Sequence, residues 1–338
     1  MPWYNPVSWF SKEENQDLLP DLVRQPVAGE FKLVFQEYDA RRSKEKIVLC
    51  LEGGGAKGRF QAGVLARMAE IGLLRRVDTI IGTSVGGMNA CVTARYMDDT
   101  PNLQDVVDIW RGIKSNSDIY LGEMPTSIWT GLKTVLGGGL TGKSILDNTP
   151  QYDLVKKHLD GITEFRVPVY CVTTDYVTHA RRLLGPGTSA VDMALATSAV
   201  PVAFKCYQGK YMDGGCVENL AIPTALNLGS SKIVAIYCDA DPSKMPVSAP
   251  DPSSITTGIA ALGALFQVQS DREYDNIEKV RQMREIRGQD PIEVIHMYPS
   301  GHTGDLLEFG ARPDLLKMGY EIATKYLTPD YVREFLQA

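Results

Sequence analysis

Apolar and polar positions along this chain change period in blocks. The run "KIVLCLE" (residues 46–52) is continuously apolar between charged ends, the pattern of a strand covered on both faces. It is followed by "GRFQAGVLARMAEIG" (58–72), whose apolar positions recur at helical spacing. The alternation then repeats. "DTIIG" (78–82) predicts a second strand, "VGGMNACVTARYM" (85–97) a second helix and "LQDVVDIWRGIK" (103–114) a third. Further strands are predicted at "VPVYCVTTD" (167–175), "KIVAIYC" (232–238) and "IEVIHMY" (292–298), with helices over 190–198 and 223–228. Strands alternating with helices imply an α/β fold: a mostly parallel central sheet flanked by helices on both faces.

The ends and two interior segments depart from this rhythm. Residues 1–40 read as an arm, aromatic at Trp3, Tyr4, Trp9 and Phe10 and polar afterwards. "TGLKTVLGGGLTGKS" (130–144) is a glycine-rich irregular connection, and "DADPSKMPVSAPDPSS" (239–254) is a Pro/Ser-rich loop leading into a predicted long helix over 255–286. No repeat and no clean boundary emerges. The expected organisation is an arm (1–40), a core (41–245) and a helical region (246–338) that completes the same domain.

Composition narrows the function classes. The chain has 338 residues, 44% of them hydrophobic, enough for a large core, and a net charge of −6 that argues against binding nucleic acid through a basic surface. Six cysteines lie singly with no CxxC pair, so neither a zinc site nor a disulfide framework is predicted. The N-terminus lacks a basic n-region and an apolar h-region, and no stretch reaches the roughly 18–20 apolar residues of a membrane span. A soluble, cytoplasmic protein able to touch a membrane from one side is the expectation.

Two glycine patterns carry the candidate chemistry. Gly53, Gly55 and Gly58 form G-x-G-x-x-G between a strand and a helix, the setting of a dinucleotide fingerprint. That fingerprint wants an acid at the end of the second strand, whereas Asp78 starts it. Glycines opening a helix also expose backbone N–H groups to a developing oxyanion. One strand later, Gly82-x-Ser84-x-Gly86 occupies the strand–turn–helix setting of a nucleophile elbow. The proton of Ser84 then needs an acceptor. A Ser–Asp–His chain order leaves His296, inside a strand, and the loop residue His302. The alternative is Asp213 in "YMDGGCVENLAIP", followed by Gly214 and Gly215, which is either a solvated hairpin turn or a carboxylate base.

Together, "GGGAKG" (53–58), "GTSVG" (82–86) and "DGG" (213–215) resemble the patatin-like phospholipase family, as do "ATSAVPVAF" (196–204) and the N-x-x-x-P after the DGG. The resemblance covers about residues 46–237. It implies a patatin-like three-layer α/β/α fold, Ser84 as nucleophile, Asp213 as base, Gly53, Gly54 and Gly55 as oxyanion donors, and no metal or organic cofactor. On this reading the chain hydrolyses acyl esters of glycerophospholipids at a membrane surface. Lys57 or Arg59 is then expected to meet a lipid phosphate, and a carboxylate base to give an acid limb around pH 5–6. A homodimer and a regulatory ligand stay open. The competing readings are a Ser-His-Asp esterase acting on small esters through His302 and an inert nucleotide-binding module.

Overall fold

The computed structural model describes residues 29–41, 46–99, 103–122, 146–241, 277, 279–288 and 291–337. In chain order the helices are α1 (Gly29–Arg41), α2 (Gly58–Glu70), α3 (Val85–Tyr96), α4 (Gln104–Gly112), α5 (Thr149–Leu159), α6 (Ala190–Thr197), α7 (Ile222–Asn227), α8 (Leu315–Tyr326) and α9 (Pro329–Gln337). The strands are β1 (Ile47–Leu51), β2 (Thr79–Thr83), β3 (Val169–Asp175), β4 (Arg181–Leu184), β5 (Tyr211–Asp213), β6 (Lys232–Ile236) and β7 (Glu293–Met297).

The sheet order is β4-β3-β2-β1-β6-β7, with β5 also on β3. The β1, β2, β3, β6 and β7 pairings are parallel, while β4 and β5 run antiparallel to β3. Successive side chains of β1 point to opposite faces: Ile47, Leu49 and Leu51 join one buried cluster, Val48 and Cys50 another. The first cluster carries α1 to α6, α8 and α9, the second α7 and Ile277, giving three layers. The predicted mostly parallel sheet covered on both faces is therefore present.

β3 has two edges, and the registers show how they are shared. β4 pairs with Cys171–Thr174 along one edge. On the other, β2 ends with Thr83 opposite Val172, and β5 takes over at once with Asp213 opposite Thr173. Two strands thus meet end to end against a third. That junction brings together chain segments far apart in sequence.

Two sequence readings change. Residues 29–40 are not an arm, because α1 buries Phe31, Val34, Phe35 and Tyr38 at i, i+3, i+4 and i+7 on the domain. The aromatic cluster at 3–10, the glycine-rich segment 130–144 and most of the loop 239–254 lie outside the described residues. Of the helix predicted over 255–286, the described residues from 277 onward are helical. Asp213 does not sit in a hairpin turn: the chain enters a 3-10 turn, Gly214–Cys216, which Asp213 caps.

Candidate active site

Ser84 lies between β2 and α3 with φ 54° and ψ −127°, a backbone that a residue bearing a Cβ adopts only under constraint. The constraint is visible. A side chain at Gly82 would strike the Gly86 backbone, and one at Gly86 the carbonyls of Leu51 and Glu52. The Ser84 N–H donates to Thr197 Oγ1 at 2.9 Å, and the Thr197 hydroxyl donates in turn to the Val172 carbonyl. The turn is thereby tied to β3 and to the end of α6.

Ser84 Oγ donates to Asp213 Oδ2 at 2.6 Å. The other carboxylate oxygen accepts the Gly215 N–H at 2.7 Å, and Gly214 packs against the Val172 carbonyl with no room for a side chain. Asp213 has no exposed surface. Burial pushes its carboxyl up to about 7, against the pull of the Ser84 and Gly215 hydrogen bonds, which favour the charged form. That is above the acid limb expected from sequence, because the carboxylate is wholly rather than partly buried. A base that titrates near neutrality, hydrogen-bonded to a hydroxyl, can take its proton. Beside it, burial and then Asp213 push the Cys216 thiol up to about 12, which keeps it a neutral thiol.

The glycine loop faces this pair. The Gly53 N–H is spent on the Asn219 carbonyl at 3.1 Å, so it is not available to an oxyanion, contrary to the expectation for Gly53. The Gly54 and Gly55 N–H groups have no protein acceptor among the described residues, and Gly55, at φ 55°, lines the same cavity as Ser84. A buried polar network holds the loop. Gln61 Nε2 donates to the Glu52 and Ile236 carbonyls, Asn89 Nδ2 to the Gly58 carbonyl and Gln61 Oε1, and Trp110 Nε1 to Asn89 Oδ1. Gly58 sits against Val85 and Trp110, where a Cβ would not fit.

The two basic candidates are structural. Lys57 Nζ contacts both Asp239 oxygens at 2.7 Å, and the buried Arg59 donates to the Ile113 and Phe309 carbonyls over the Trp110 ring. Neither lines the cavity at Ser84. Among the described residues no histidine hydrogen-bonds Ser84 or Asp213. His302 is exposed, with its carbonyl accepting from Arg312, His296 pairs with Tyr237, and His179 is exposed. His158 lines the cavity but bonds Tyr96.

The cavity opens beside Ser84 and is walled by Met88 and Val92 of α3, Ile109 and Trp110 of α4, Leu154 and Val155 of α5, Ala194 of α6, and Phe204, Leu307 and Phe309. Its wall is apolar apart from Asn89, Gln151, His158, Ser198 and Ser84 itself. Sequence reasoning missed Thr197 and Asn219 as holders of the site, although both fall within the family-like stretches quoted above. It had no signal for Tyr96 and His158, which meet only through helix packing.

A family model described as "Patatin-like phospholipase" matches residues 49–226. "Lysophospholipase nte1" of Aspergillus terreus is 25% identical over 317 residues, covering 88% of this chain and 19% of that protein. "Patatin-like phospholipase domain-containing protein 7" of Mus musculus is 23% identical over 355 residues, covering 94% of this chain and 24% of that protein. The chain thus spans about a fifth to a quarter of the length of these relatives. The solved structure of VipD from Legionella pneumophila is similar with 17% identity and a TM-score of 0.41, over 84% of this chain and 66% of that one. With its glycine loop, serine elbow and Asp-Gly-Gly turn inside the matched residues, the chain belongs to the patatin-like phospholipase family.

Proposed function

We propose that this chain is a lipid acyl hydrolase that cleaves fatty-acyl esters of glycerophospholipids, or of their lyso forms, through Ser84 and Asp213. Asp213 takes the hydroxyl proton as Ser84 Oγ attacks the ester carbonyl carbon. The carbonyl oxygen becomes an oxyanion facing the N–H groups of Gly54 and Gly55, joined by that of Val85 at the start of α3. Collapse expels the glycerol oxygen, which receives the proton from Asp213 and leaves an acyl-serine. Water, deprotonated by the same carboxylate, then releases the fatty acid and restores Ser84. No metal or organic cofactor enters these steps. The observation that carries the reading is the Ser84–Asp213 hydrogen bond, with Ser84 lining a mostly apolar cavity.

The test is turnover of phosphatidylcholine and lysophosphatidylcholine by the wild type, Ser84→Ala, Asp213→Ala and the double variant. Each single change is expected to lower kcat by about 10⁴-fold or more, with the double little worse, because the two act as a unit. A fluorophosphonate probe is expected to label Ser84 alone. Turnover surviving in Asp213→Ala, or labelling of another serine, would sink the mechanism.

A further inference from the structure

One polar side chain in the lining of the cavity at Ser84, His158, is hydrogen-bonded to a second ring, Tyr96. Along α3, Met88 and Val92 line the cavity at four and eight residues beyond Ser84, and Tyr96, partly buried and outside that lining, lies four residues further on. At a rise of 1.5 Å per residue, Tyr96 lies about 18 Å from Ser84 along the helix. α5 runs beside α3 in matching register. Its Gln151 meets Met88 Sδ at 3.5 Å, and its His158 Nδ1 meets the Tyr96 hydroxyl at 2.8 Å. Leu154 and Val155 fill the wall between. Burial, then Lys157, pushes the His158 imidazole below its ordinary value, and burial pushes the Tyr96 phenol up, so both rings are neutral at pH 7.

We infer that the Tyr96–His158 pair is the stop at the end of an acyl channel and sets the longest acyl chain that Ser84 hydrolyses efficiently. The inference rests on the acyl-hydrolase reading above. An acyl chain attached at Ser84 runs along α3 among aliphatic side chains. Each methylene that finds a wall contact favours binding, until the terminal methyl reaches the pair. A longer chain must displace the half-buried Tyr96–His158 pair or break its hydrogen bond, and it is rejected. Neither residue touches the reacting atoms, so their effect is on chain length and not on the chemical step.

The test is kcat/KM for a series of p-nitrophenyl esters, from butyrate to stearate, with the wild type, His158→Leu, Tyr96→Phe and Val92→Phe. In the wild type, kcat/KM is expected to rise with length and then fall. His158→Leu and Tyr96→Phe are expected to move that fall to longer esters, with a gain of about tenfold or more at the first length the wild type rejects. Val92→Phe, which narrows the channel midway, is expected to move it to shorter ones. The thermal midpoint and near-ultraviolet dichroism of each variant, compared with the wild type, report an intact fold. A wild-type profile that never falls, or profiles unmoved in both His158→Leu and Tyr96→Phe, would overturn the stop. If Val92→Phe alone shifts the profile, the channel stands and the stop does not. Ester turnover persisting in Ser84→Ala would instead remove the parent reading.

Discussion

Asp213 carries a charge only at a cost, and the sign of that cost can be measured. Its folded value of about 7 lies above the ordinary 3.8, so the folded state favours the protonated form. The stability it contributes is fully present below about pH 4, declines as the unfolded carboxyl ionises, and is gone above about pH 7. The shift of some three units corresponds to roughly 4 kcal/mol. Asp213→Asn, titrated against the wild type by urea denaturation, is expected to gain relative stability steadily over that window and level off above it. On the dyad reading activity has the opposite preference, since only the ionised carboxylate is a base, so kcat/KM is expected to rise with an apparent value near 7. An imidazole would titrate there too, so the pH limb does not separate the two bases. Substitution does. Each of His158, His179, His296 and His302 changed to alanine is expected to keep butyrate hydrolysis within about tenfold, where loss of a triad base typically costs on the order of 10⁴-fold. At this scale the serine, its carboxylate and the glycine loop were legible, because strained turns and tight backbone approaches leave glycine signatures. That Gly53 is spent and Gly54 is not was illegible, since Asn219 lies 166 residues away.

Among the elements, α2 and α8 cross with backbones close together. Gly63 of α2 faces the Leu316 carbonyl, Gly319 of α8 faces the Phe60 carbonyl, and a Cβ at either would collide with backbone rather than a movable side chain. Gly319→Ala is therefore expected to destabilise the fold by about 1–3 kcal/mol despite alanine's better helix propensity, read as a lowered thermal midpoint. Strands buried on both faces were easy to find from sequence: β1, β2, β3, β6 and β7 all lie within the predicted runs apart from Thr83, one residue past the predicted end of β2. β4 was not, because "RRLL" on a sheet edge is mostly exposed and carries no apolar alternation. α1 reads as arm in sequence because its charged outer face, including Glu37 and Asp39, dominates the composition while four apolar residues on the inner face do the packing.

Over the whole molecule, the family match stops at residue 226, but the packed domain does not. The Lys232 ammonium, in β6, donates to the Phe335 carbonyl in α9, and the Tyr320 hydroxyl of α8 donates to Glu70 at the end of α2. Removing residues 311–338 strips the cover from α2 and leaves Lys232 buried without that acceptor. Such a chain is expected to lose its cooperative unfolding transition and its near-ultraviolet dichroism, and a truncated chain that keeps both would refute the single packed unit. The end-to-end meeting of β2 and β5 on β3 has a further consequence in time. Ser84 precedes Asp213 by 129 residues, and ribosomes add about 5–20 residues per second. On the dyad reading, each nascent chain therefore carries its serine for on the order of ten seconds before its base is even synthesised. A lipid-cleaving centre split this way across the chain is inactive for that part of its own translation, and no inhibitor is needed to keep it so.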